Sequence, residues 1–105
     1  MEVSAFTHGV GGSGVRLPSQ NRNQLSDGDK VTIFIRKRPG QYEKFSLTIK
    51  TAGGSCPELR HKKITEWLIG LGFLDLAGRP VWKRGNPSKF YLTHLDQKFY
   101  ILEPI

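Results

Sequence analysis

The residues best suited to chemistry in this 105-residue chain are cations and rings rather than nucleophiles or metal ligands. Between Lys30 and Lys50 the sequence interleaves Phe34 and Tyr42 with Arg36, Arg38, Lys44 and Lys50. Guanidinium and ammonium groups neutralise phosphates, and exposed rings offer faces on which unpaired bases stack. Arg60, Lys62 and Lys63 form a second basic cluster, and Trp82, Arg84 and Lys89 a third. Together these are the candidate contacts to a nucleic acid. His8, His61 and His94 are too scattered to form a metal cluster, and the single Cys56 cannot supply a multi-cysteine site, so no metal or cofactor is expected. His61, within Arg60-His61-Lys62-Lys63, is the one candidate general base, for a ribonuclease-like site with Lys62 or Lys63 against the phosphate. No nucleophile with its own base and orienting group accompanies it, and the chain reads as non-catalytic. The run from Gly9 to Gly14 has the composition of a phosphate loop but lacks the preceding strand, the following helix and the closing Gly-Lys-Ser/Thr.

Charge supports the same reading. Sixteen Lys and Arg oppose nine Asp and Glu, a net charge of +7 with a pI near 9.9. Residues 30–63 hold nine of the cations against only Glu43 and Glu58, and residues 79–89 add Arg79, Lys83, Arg84 and Lys89 with no acid. Positive charge gathered in blocks attracts polyanions by Coulomb forces and counterion release. The length fits one domain, since neither half could build a core alone. No apolar run is long enough to span a membrane and no secretory signal is evident, and one lone cysteine points to a reducing, cytoplasmic setting.

These side chains need elements to hold them. Residues 1–26, rich in Gly, Ser, Asn and Gln, read as a flexible leader with a short edge strand through Val10, Val15 and Leu17, and residues 27–105 as the domain. Residues 30–38 and 42–51 alternate apolar and polar side chains on either side of Pro39-Gly40, predicting a hairpin. A three-residue loop at 39–41 would pair Ile35 with Phe45, Ile33 with Leu47 and Val31 with Ile49. Thr32, Phe34, Arg36, Arg38, Tyr42, Lys44, Ser46, Thr48 and Lys50 then share the other face. Ser55-Cys56-Pro57-Glu58 reads as a capping box that opens an amphipathic helix, with Cys56 in its first turn, Ile64, Trp67, Leu68 and Leu71 on its apolar stripe and a stop at Gly70–Gly72. Val81–Lys83, Lys89–Leu95 and Lys98–Leu102 read as strands. In the last hairpin, Phe90, Leu92, Phe99 and Ile101 are expected on one face and Tyr91, Thr93, Tyr100 and Leu102 on the other.

The runs Ile64–Leu74 and Arg84–Thr93 resemble the recognition helix and wing of winged helix-turn-helix regulators. That resemblance covers under a third of the chain. It implies that Arg84, Asn86, Ser88 and Lys89 touch a DNA backbone while Arg60, Lys62 and Lys63 approach the groove. The expected fold is therefore α+β, ordered β-β-α-β-β-β, with one helix across a mostly antiparallel sheet that is barrel-like or winged-helix-like. The expected function is non-catalytic binding of DNA or RNA. The alternative is a protein-interaction module, an inhibitor, adaptor or assembly subunit, that uses Tyr91 and Tyr100 or an unpaired strand edge.

Overall fold

The computed structural model describes residues 1–7, 12–51 and 56–105. Its strands are β1 (Glu2–Thr7), β2 (Ser13–Arg16), β3 (Lys30–Arg38), β4 (Gln41–Thr48), β5 (Lys50–Thr51), β6 (Pro57–Arg60), β7 (Lys89–Asp96) and β8 (Phe99–Pro104), with a 3-10 turn at Ser19–Asn21 and a single helix α1 (Lys62–Gly70). All eight strands belong to one sheet, ordered β4-β3-β8-β7-β1-β2-β6-β5, and only the β3–β8 pair is parallel. The two ends of that order are consecutive in the chain, because β4 passes through Ile49 directly into β5. A sheet whose outermost strands are joined by one residue has to bend round on itself, and this one curls into a half-barrel. Ile49 secures the bend by donating to Asp29 O at 2.7 Å and accepting from Gly28 N at 2.9 Å.

The core fills the concave side. Val3, Val15, Leu17, Ile33, Ile35, Leu59, Phe90, Leu92, Tyr100 and Leu102 point inward, and Ile64, Trp67 and Leu68 of α1 close over them. Nine residues are too few for a helix to persist alone in water, so α1 depends on this packing. Trp67 Nε1 donates to Arg36 O at 3.0 Å, and the Ser13 and Thr65 hydroxyls meet at 2.8 Å, tying the helix to β3 and β2. The helix ends where expected, in a Schellman arrangement: Phe73 N donates to Leu68 O and Gly72 N to Ile69 O, with Gly72 at φ +84°.

The expected β-β-α-β-β-β order is corrected by four features. First, residues 2–7 and 13–16 of the leader form β1 and β2 in the middle of the sheet, where Val3 and Val15 are fully buried, as is Leu17 just beyond β2. Their apolar side chains are few but fall on one face, which suffices when strands on both sides complete the ladder. Val10 lies outside the described residues.

Second, the helix starts later than the capping box suggests. Ser55 lies outside the described residues, Pro57–Arg60 is β6 paired to β2, and Cys56 precedes that strand rather than sitting in a helical first turn. The true cap is His61, whose Nδ1 accepts from Lys63 N at 3.1 Å. Glu58 is held by Arg16 and Arg60 instead.

Third, the first hairpin turns on two residues, Pro39-Gly40, with Gly40 at φ +77° and a bulge between Arg36 and Arg38. Its register is Ile35 with Glu43, Ile33 with Phe45 and Val31 with Leu47, two residues from the expected one. Fourth, β7 and β8 pair Leu92 with Leu102 and Thr93 with Ile101, so Tyr100 faces the core while Phe99 and Ile101 face outward. A bulge between His94 and Asp96 and a turn at Gln97, with φ +47°, produce that parity.

There is no winged helix. Among the described residues α1 is the only α-helix, Val81–Lys83 forms no strand, and Arg84–Ser88 precede β7 as a turn and extended chain rather than a wing hairpin. This stretch instead runs beside β1, where Ala5 N donates to Ser88 O at 2.9 Å.

Candidate nucleic-acid interface

Alternation along β3 and β4 sends every second side chain to the convex side of the sheet. There Phe34 lies opposite Lys44 and Arg36 opposite Tyr42, a lattice in which each ring has a cation as its cross-strand neighbour. Side chains at opposed positions have Cβ atoms only about 5 Å apart, so one flat ligand can touch both members of a pair. The two-residue register shift leaves these four side chains on one face, but the bulge after Arg36 turns Arg38, opposite Gln41, to the other side, where it lines the cleft beside α1 with Lys37, Glu43 and Lys63. Tyr42 is 48% exposed and Phe34 is half-buried.

The parallel pairing of β3 with β8 widens the face. Phe34 lies beside Ile101, and its ring centroid is 6.3 Å from that of Phe99. Leu95, exposed at the β7 bulge, joins Phe34, Tyr42 and Ile101 around a shallow apolar hollow. Phe99, Ile101 and Leu95 were not among the sequence candidates. The alternation of β8 could have revealed the first two, but only with its parity fixed by the bulge on β7.

Arg36 pairs with Glu103 at 3.3 Å, both partly exposed, while Arg38 and Lys44 have no acidic partner within ion-pair distance among the described residues. An exposed pair of this kind is worth at most about 1 kcal/mol, so Arg36 can exchange Glu103 for another anion at little expense.

The other candidates lie elsewhere. Lys63 binds Glu43 at 3.1 Å, and Lys37 binds the same carboxylate at 3.2 Å across the cleft between the β3–β4 tip and α1. The hydrogen bond from Lys63, followed by that from Lys37, holds the Glu43 carboxyl below the usual carboxylate range. Arg60 donates to buried Glu58 at 2.9 Å, as does Arg16 at 3.0 Å. Both guanidinium groups lie over the Phe6 ring, at 5.3 and 4.9 Å from its centroid. Lys50 stands opposite Glu58 on β5, and Lys62 is exposed at the start of α1.

Trp82 packs partly into the core and lines a hollow with Arg84 and Phe6 near the end of β1, and Lys89 donates to Ser4 Oγ at 2.7 Å. His61 caps the helix and stacks on Phe45 at 4.4 Å, so one ring nitrogen is already engaged. Of the twelve candidates, therefore, Phe34, Arg36, Tyr42 and Lys44 are brought together by one hairpin, Arg38 is turned to the helix side by the bulge, and the continuous track through the helix and the wing-like turn does not form.

Among the described residues no three of His, Cys, Asp and Glu are grouped as metal ligands, and no helix is long and apolar enough to cross a membrane. Comparison with protein-family models, curated proteins and solved structures finds no match to this chain.

Proposed function

We propose that the chain is a non-catalytic nucleic-acid-binding domain that uses the convex face of β4, β3 and β8. The observation that carries this reading is the cross-strand lattice of Phe34 with Lys44 and Arg36 with Tyr42, exposed on a protein of net charge +7. Arg36 and Lys44 neutralise phosphates while Tyr42, Phe34 and Phe99 offer ring surface. Lone Cys56 fits a reducing compartment, and a cytoplasmic location goes with it.

A second reading, a protein-interaction surface, draws on Leu95 at 51%, Phe99 at 40% and Tyr91 at 48% exposure. Tyr100, at 5% exposure, has no part in it. Fluorescence anisotropy with a labelled oligonucleotide tests the first reading. Affinity should fall with salt, with a log–log slope of about −1.4 for two phosphate contacts on a single strand. The Arg36→Ala, Lys44→Ala double variant should weaken binding and flatten that slope. Salt-independent binding, or none at low ionic strength, refutes the proposal. A protein partner that stays bound through nuclease treatment favours the second reading.

A further inference from the structure

We infer that the ligand of this face is single-stranded, and that one unpaired base enters the hollow between Phe34, Tyr42, Leu95 and Ile101. This rests on the nucleic-acid reading above and narrows it to one kind of strand. The hollow presents only apolar wall, and the cross-strand neighbours of its two rings are cations, Lys44 opposite Phe34 and Arg36, paired with Glu103, opposite Tyr42. Apolar floor and cationic rim are the two halves of a nucleotide: the flat π-system of the base and the phosphate that follows it.

A duplex cannot use both halves. Its bases are paired and stacked inside, and its grooves present hydrogen-bonding edges that an apolar hollow cannot answer. Only a base turned out of the stack brings a π-face to Tyr42 and Phe34 while its backbone runs past Arg36 and Lys44. An apolar protein side chain would also fit the hollow, but Lys44, without a carboxylate partner among the described residues, and Arg36, held only by partly exposed Glu103, favour a polyanion around it. The same apolar lining has nothing to read a base edge or a ribose 2′-hydroxyl, so recognition is tolerant of sequence and of sugar.

The test compares four probes at one salt concentration: oligothymidylate, oligouridylate, a blunt duplex of equal length, and a thymidylate strand in which alternate residues are abasic. Oligothymidylate and oligouridylate should bind within about threefold of each other, and at least tenfold tighter than the duplex or the partly abasic strand, as stacking worth about 1–3 kcal/mol per base requires. Tyr42→Ala should weaken strand binding by at least about fivefold with the salt slope unchanged. Leu95→Ala should weaken it less. Both side chains are about half exposed, so the fold tolerates these changes. A strand containing 2-aminopurine should change its fluorescence on binding the unaltered protein and not on binding Tyr42→Ala. Equal affinity for normal and abasic strands, with a steep salt slope retained, overturns the base site and leaves the polyanion reading standing. Strong preference for one sugar also overturns it. Failure of every probe at low salt overturns both.

Discussion

The convex side of the sheet carries two patches built from the same residue types, and they behave differently. On β1, β2 and β6, Phe6 lies beneath the guanidinium groups of Arg16 and Arg60, and both arginines hold Glu58, a carboxylate 1% exposed. On β3, β4 and β8, Phe34, Tyr42 and Phe99 share a face with Arg36 and Lys44, and the one acid, Glu103, is half-exposed. Rings beside cations are thus not by themselves a binding signature. A buried carboxylate turns the same set into a structural clasp, because the arginines are committed to keeping that charge compensated. Where the carboxylate is solvated or missing, the cations stay available to an outside anion.

Three substitutions, from the largest effect to the smallest, test that contrast. Gly14→Ala should abolish the clasp altogether. A Cβ at residue 14 would lie 2.1 Å from Leu59 O, a backbone atom of β6 that cannot move without opening the β2–β6 ladder. The expected loss is at least about 3 kcal/mol, read as a collapsed urea midpoint, since overpacking against backbone exceeds what side-chain rearrangement absorbs. Arg16→Ala removes one of the two guanidinium groups around Glu58 and should cost about 2–3 kcal/mol, below the usual figure for a broken buried pair because Arg60 remains. Its oligonucleotide affinity, measured below the melting temperature, should stay close to that of the parent protein. Arg36→Ala should do the reverse: a stability change within about 1 kcal/mol, since its pair with Glu103 is partly solvated, but weaker binding and a salt slope shallower by about 0.7. If both arginines changed stability and binding alike, the two patches would not be distinct.

The two hairpins explain why one of these patches was legible in the sequence and its extension was not. In the first, the actual turn shifts the register by two residues, and because side chains alternate with period two, Phe34, Arg36, Tyr42 and Lys44 remain on one face whichever of the two registers holds. In the second, the bulge between His94 and Asp96 changes parity, and a single-residue slip exchanges Tyr100 for Phe99 and Ile101 on the outer face. Both strands there have bulky side chains in both phases, so hydrophobicity does not fix the parity. The parallel contact of β8 with β3 is a long-range pairing with no local signature. The S-x-x-E run before the helix was a local signature without tertiary support: Glu58 is drawn to Arg16 from a distant strand, and its segment pairs with β2 rather than coiling.

The smallest effect belongs to Glu43, which lies between the open face and the helix and is bound by Lys63 and Lys37 at once. These partners lower its folded-state pKa below the ordinary value of 4.5, so the unfolded chain takes up this proton first as pH falls. The resulting stabilisation is therefore present above about pH 4.5 and is lost as pH drops through the lower folded value. Glu43→Gln should accordingly melt slightly below the parent at pH 7, and the gap should close on acidification below 4.5, as thermal melts at successive pH values would record. Lys63→Met should lower the melting temperature at pH 7 in the same sense, and combining it with Glu43→Gln should add little. The oligonucleotide affinity of Lys63→Met should hardly change, because a lysine occupied by Glu43 belongs with the clasp rather than with the open face. A marked loss of binding in that variant would place the helix start in the interface after all and redraw the boundary between the two patches.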